Sequence, residues 1–115
     1  MLTKTKINAY VLSSKPVIEI IGDITGDCEE EIMKAFHKVG KKLQKSVIID
    51  LSNVPYMNSG GISILIKIIK NQQVDNHILN IAGIDKYFEK LFKALGISEF
   101  IRYHKNVALA IEAQN

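Results

Sequence analysis

A chain of 115 residues, 47% hydrophobic and 23% charged, has room for one domain with a modest core. Its net charge of +3 comes from scattered lysines, which excludes the clustered basic footprint of a nucleic-acid binder. The longest apolar run, residues 62–69, is interrupted by Ser63 and Lys67, so no membrane-spanning segment is expected.

Cys28 is the only cysteine, which excludes a disulfide framework and a cysteine-rich metal site and favours a reducing, cytoplasmic setting. The opening Met1-Leu2-Thr3-Lys4-Thr5-Lys6 has no signal-peptide core. Lys38, Lys41, Lys42 and Lys45 read as the solvated side of a helix. No repeat, linker or low-complexity stretch divides the chain, so residues 1–115 are expected to form one domain.

In chain order, residues 7–12 and 16–21 predict two strands of a hairpin joined through Ser13-Ser14-Lys15, with Pro16 at a strand start. Asp27 then predicts an N-cap, with Glu29, Glu30 and Glu31 in the first turn where the helix dipole favours them. Ile32, Ala35, Phe36, Val39 and Leu43 fall on one face, and the helix is expected to run through Gly40. Residues 47–51 are short, apolar and β-branched, as in a strand covered on both faces.

After Pro55 the chain reads Tyr56-Met57-Asn58-Ser59-Gly60-Gly61 and enters a segment of helical spacing that starts at or beside Ser59. There Ile62, Leu65, Ile66 and Ile69 share a face expected to lie on the sheet. Ile64 and Ile68 point almost the opposite way. They are either an exposed stripe for a partner or a face covered by a neighbouring helix.

Residues 77–82 predict a further strand. Asp85 caps a helix with Phe88, Leu91, Phe92 and Leu95 on one face and Gly96 as its stop. Residues 99–103 predict a last strand, and Asn106 caps a final helix bearing Val107, Ala108 and Ile111. The order β-β-α-β-α-β-α-β-α is an α/β fold with a mixed central sheet, an N-terminal hairpin and about four helices.

Function in open α/β sheets gathers where strands end and helices begin, and Ser59 occupies such a place. A nucleophile elbow needs Gly-x-Ser-x-Gly, but Met57 stands two before Ser59. His37, His77 and His104 form no catalytic or metal-binding spacing, and no nucleotide-binding glycine loop occurs. No cofactor and no enzymatic activity are expected. Asp50, polar in an apolar strand, is a carboxylate at the active end of the sheet or, as favoured, a hydrogen-bond acceptor for the following loop.

Val47-Ile48-Ile49-Asp50-Leu51-Ser52, then Met57-Asn58-Ser59-Gly60-Gly61-Ile62 and Leu65, resemble the signature of STAS domains, the family of anti-sigma factor antagonists. In that family a strand ending in Asp-Leu precedes Asp-Ser-Ser/Thr-Gly at a helix start, and the element order agrees over nearly the whole chain. Here Asn58 replaces the Asp, and Gly60 replaces the Ser/Thr, removing a hydroxyl and loosening the turn.

The resemblance implies that Ser59 is phosphorylated by a partner anti-sigma factor with serine kinase activity and reset by a serine phosphatase. It also implies partner contacts through Asn58, Ser59, Gly60, Gly61, Ile62, Ser63 and Ile64. The unphosphorylated form would bind the kinase and release a sigma factor, regulating transcription. Asn58 and Gly60 keep a second reading open, a STAS scaffold or sensor module that binds a protein or small apolar ligand without phosphorylation.

Overall fold

The computed structural model describes residues 4–114, apart from the side chain of Lys41. Met1-Leu2-Thr3, the start of the stretch without a signal core, lies outside the described residues, as does the Lys41 contribution to the basic helix side.

β1 (Lys6–Leu12) and β2 (Lys15–Ile21) form the expected antiparallel hairpin. Its loop is only Ser13-Ser14, both with positive φ (50° and 66°), because a two-residue turn of this hand matches the strand twist. Lys15 is therefore a strand residue opposite Leu12, not part of the connection.

β3 (Ile48–Asn53), β4 (Leu79–Ala82) and β5 (Ile101–His104) add in parallel, giving the order β1-β2-β3-β4-β5. Strand bounds shift by one to two residues from the sequence pattern. Val47 is buried ahead of β3, Ile78 is exposed ahead of β4, and a 3-10 turn, Ser98–Phe100, precedes β5.

The sheet's two faces are unequally covered. One face, carrying Ile18, Ile20, Ile49, Leu51, Leu79 and Ile81, meets α1 (Glu29–Lys38), α3 (Ser59–Val74) and α4 (Lys86–Ala94). The other carries Val17, Ile48 and Ala82 under Ala110 and Ile111 of α5 (Val107–Ala113). Asp85 and Asn106 cap α4 and α5, accepting the N–H of Tyr87 (2.8 Å) and Leu109 (2.9 Å).

Several expectations about the helices are corrected. Asp27 is not the cap of α1; a 3-10 turn, Gly26–Cys28, intervenes, and Asp27 instead accepts from the Thr25 hydroxyl. The first helix does not pass through Gly40, whose φ of 77° ends it and starts the short α2 (Lys41–Gln44). That break turns Leu43 outward and buries Gln44, whose carbonyl accepts from Gln72 at 2.7 Å.

On α3 the most buried set is Ile64, Leu65, Ile68 and Ile69, while Ile62 and Ile66 are half-buried. α1 flanks α3, so Ile64 and Ile68 lie in the same cluster as Ile32 and Phe36 and form no exposed stripe. Leu95 and Ala108 are exposed, and Ala110 takes the expected inner place on α5.

Asp50 follows its structural reading. Its Oδ1 accepts from the Ser52 backbone N–H (3.0 Å) and hydroxyl (2.6 Å), holding the chain as it leaves the sheet.

Candidate functional site

The junction after β3 is built by its own backbone. Asn58 is extended (φ −90°, ψ −179°), its Oδ1 accepts the Gly61 N–H at 2.8 Å, and its carbonyl accepts the Ile62 N–H at 3.0 Å. The second is the first regular bond of the helix; of the four N–H groups that a helix start leaves over, Gly61 is satisfied by the Asn58 side chain and Asn58 by the Ile24 carbonyl. The N–H groups of Ser59 and Gly60 find no acceptor among the described residues. They lie at the positive end of a 16-residue helix, equivalent to about half an elementary charge.

Ser59 is the first residue of α3 and is exposed. One turn on, the Ser63 hydroxyl donates to the Ser59 carbonyl at 2.9 Å, which fixes that second hydroxyl against the backbone.

The loop after β2 closes the other side of the junction. Gly22 N–H donates to Asn53 O (2.9 Å), Ile24 N–H to Tyr56 O (3.0 Å), and Asn58 N–H to Ile24 O (3.2 Å). An isolated parallel bridge, Ile24 with Met57, sits within this ladder. The pairing of β2 with β3 thus continues past the strands to the start of α3.

Glycine is required there by space. A Cβ on Gly61 would stand 2.1 Å from the Ile24 carbonyl oxygen, and one on Gly60 would stand 2.9 Å from Gly26 Cα and N. The expectation that Gly60 loosens the turn is corrected: Gly60 lets the two backbones touch.

Of the seven candidate contact residues, Ser59 and Ser63 are exposed, and Asn58, Gly60 and Ile62 are partly so. Gly61 and Ile64 are buried. Ile64 offers no surface to a partner, because α3 is covered on both the sheet side and the α1 side.

Sequence reasoning missed the neighbours that complete the exposed cap. Tyr56 is 52% exposed, and Gly26 and Asp27 are exposed on the facing loop. A large aromatic in a polar loop directly after Pro55 was the available signal. Beyond the cap, Lys67 on α3 pairs with Glu29 on α1 at 2.7 Å across two exposed side chains.

Chemically, the arrangement presents a hydroxyl beside backbone N–H donors, and among the described residues no side chain is hydrogen-bonded to that hydroxyl. Among the described residues no histidine bonds Ser59. His104 Nε2 lies 3.0 Å from Asn80 Oδ1 at the end of β5, and burial, helped by Arg102, pushes its pKa down. His37 is exposed on α1 and His77 precedes β4. No group of three or more His, Cys, Asp or Glu converges to hold a metal among the described residues.

Fold and junction together define a single-sheet α/β domain whose accessible feature is a serine at a helix start. The family profile described as STAS domain matches residues 6–110, and the chain belongs to that family. An anti-sigma factor antagonist from Mycobacterium paratuberculosis is similar in structure, with a TM-score of 0.79 and 15% identity over 96% of this chain and 93% of that one. The Bacillus cell fate determinant SpoIIAA in its phosphorylated form follows, at 0.75 and 12% over 96% and 100%. A sulfate transporter family protein from Wolinella succinogenes reaches 0.74 and 17% over 90% and 87%. At these identities the likeness is one of fold.

Proposed function

We propose that the protein is an anti-sigma factor antagonist acting in a bacterial cytoplasm. In this reading it binds a partner anti-sigma factor with serine kinase activity, and phosphorylation at Ser59 switches binding off. Sigma-factor-dependent transcription is the output. The observation that carries the reading is the exposed Ser59 at the first position of α3, beside two N–H groups that have no acceptor among the described residues.

A phosphate at that position adds about −1.5 to −2 charges, which a helix N-terminus tolerates in water. Enclosed in a partner interface, the same charge loses hydration, and Asp27 on the facing loop adds a like charge nearby. Binding is lost while the domain keeps its shape. Partner contacts are assigned to Asn58, Ser59, Gly60, Ile62 and Ser63, joined by Tyr56 and Gly26.

Incubation with the partner kinase and ATP is expected to place phosphate on Ser59 by mass spectrometry; modification at other residues only would overturn the reading. In calorimetry, Ser59→Ala is expected to retain affinity for the partner and Ser59→Asp to lose it.

A second reading, a STAS scaffold or sensor that is not phosphorylated, draws on Gly60. The family's Ser/Thr at this position would collide with Gly26, so this junction departs from the family pattern on both sides. A small apolar ligand finds little support, because the cleft of about 510 Å³ behind the loop is walled by Lys4, Asp23, Asp27, Glu30, Glu31 and Lys34. Equal partner affinity for Ser59→Ala and Ser59→Asp would favour the scaffold.

A further inference from the structure

We propose that the protein self-associates through β1, with two copies pairing their β1 edges antiparallel about a two-fold axis. The inference is independent of any role for Ser59.

The two edges of the sheet differ. β5 is four residues long and carries Arg102, the kind of short, charged edge that discourages pairing. β1 is seven residues long and exposed over nearly its whole length. From Asn8 to Leu12 it holds no charge and no proline, and Val11 is 65% exposed with Tyr10 and Leu12 beside it. Such an edge is a template for another strand.

The hairpin fixes which backbone groups are available. In a two-residue turn the flanking pair, here Leu12 and Lys15, exchanges both backbone hydrogen bonds. Alternation then spends the groups of Tyr10, Asn8 and Lys6 on β2 and turns those of Val11, Ala9 and Ile7 outward. Pro16, opposite Val11, agrees with this register, since a proline has no N–H to exchange.

The outward set is self-complementary. With Ala9 on the two-fold axis, Ile7 of each copy meets Val11 of the other, giving three hydrogen-bonded pairs and about six bonds. The smallest side chain of the strand then sits on the two-fold axis, where it meets its own copy.

Charge complements the register. A groove of about 410 Å³ between β1 and α1 is lined by Ile7, Ala9 and Ala35 and lipped by Glu31, Lys34 and Lys38. A two-fold axis normal to the sheet puts both α1 helices on one side, running in opposite directions. This places Glu31 of one copy on the side of Lys38 of the other, and the reverse, while Lys34, midway between them, meets its own copy near the axis and offsets part of that attraction.

Sedimentation equilibrium from micromolar to near-millimolar protein is expected to show a monomer–dimer equilibrium that Val11→Lys abolishes, with far-UV circular dichroism confirming its fold. Glu31→Lys and Lys38→Glu, both exposed and on α1 rather than in the strand itself, are each expected to weaken the dimer about threefold, and the double reversal to restore it. Amide exchange sharpens the register. Protection at Ala9 and Val11 should rise with concentration, while that at Asn8 and Tyr10 stays constant. A monomer at every concentration, assembly beyond a dimer, a dimer that survives Val11→Lys, charge reversals that do not restore one another, or concentration-dependent protection confined to β5 would each overturn the proposal.

Discussion

On one side of the junction α3 starts abruptly, with a side-chain cap, two successive glycines and no acidic residue in its first turn. On the facing side α1 starts gradually, through a 3-10 turn, with no side-chain cap and with Glu29, Glu30 and Glu31 in its first turn. The first start is held by steric fit and specific hydrogen bonds, the second by diffuse electrostatics. Only the first leaves its dipole end open to a ligand, because α1 has already filled its own with carboxylates. The difference explains how one small domain can present an anion-tolerant helix start beside an anion-rich one.

Adding one methyl group to either side is the sharpest way to break this contrast. Gly61→Ala forces its Cβ into the Ile24 carbonyl and is expected to cost about 3 kcal/mol in urea unfolding. Asn58→Ala removes the cap and should cost about 1 kcal/mol, whereas Asn58→Asp keeps an acceptor and should stay within about 0.5 kcal/mol of the parent. Gly26→Ala, on the facing loop, meets Gly60 Cα at an ordinary 3.7 Å and should change stability by no more than about 0.5 kcal/mol. Glu29→Gln breaks the exposed pair with Lys67 and should cost about 0.3 kcal/mol, an effect that added salt reduces in the parent. A large loss for Gly26→Ala together with a small one for Gly61→Ala would reverse the assignment of rigid and adaptable sides.

Element order was legible because local signals agreed with the fold. Asp85 and Asn106 cap the helices they precede, Pro16 lies at a strand start, and Ile48, Ile49 and Leu51 of β3 are buried as their pattern implied. Asp50 was legible in the same way, since a carboxylate in a buried strand needs hydrogen-bond donors close by.

What the sequence concealed depended on distant segments. Gly40 could have been tolerated in a helix, and only the three-dimensional path shows that it ends one. Ile64 and Ile68 could face water or α1, a choice that periodicity cannot make. Gly60 looked permissive, yet its meaning lies in Gly26, 34 positions earlier by subtraction of their numbers. Asp27 is an excellent cap residue in isolation, and the 3-10 turn against the start of α3 overrides that preference.

The ladder that carries the β2–β3 pairing beyond its strands has a thermodynamic consequence. Because Ile24, Tyr56 and Asn58 are already bonded to one another, the surface around Ser59 enters an encounter with its backbone ordered. Little conformational entropy remains to be lost on complex formation, so a modest contact area can suffice for measurable affinity. If the proposed antagonist role holds, the same ordering means that partner recognition requires no refolding step, and association should follow a single concentration-dependent phase.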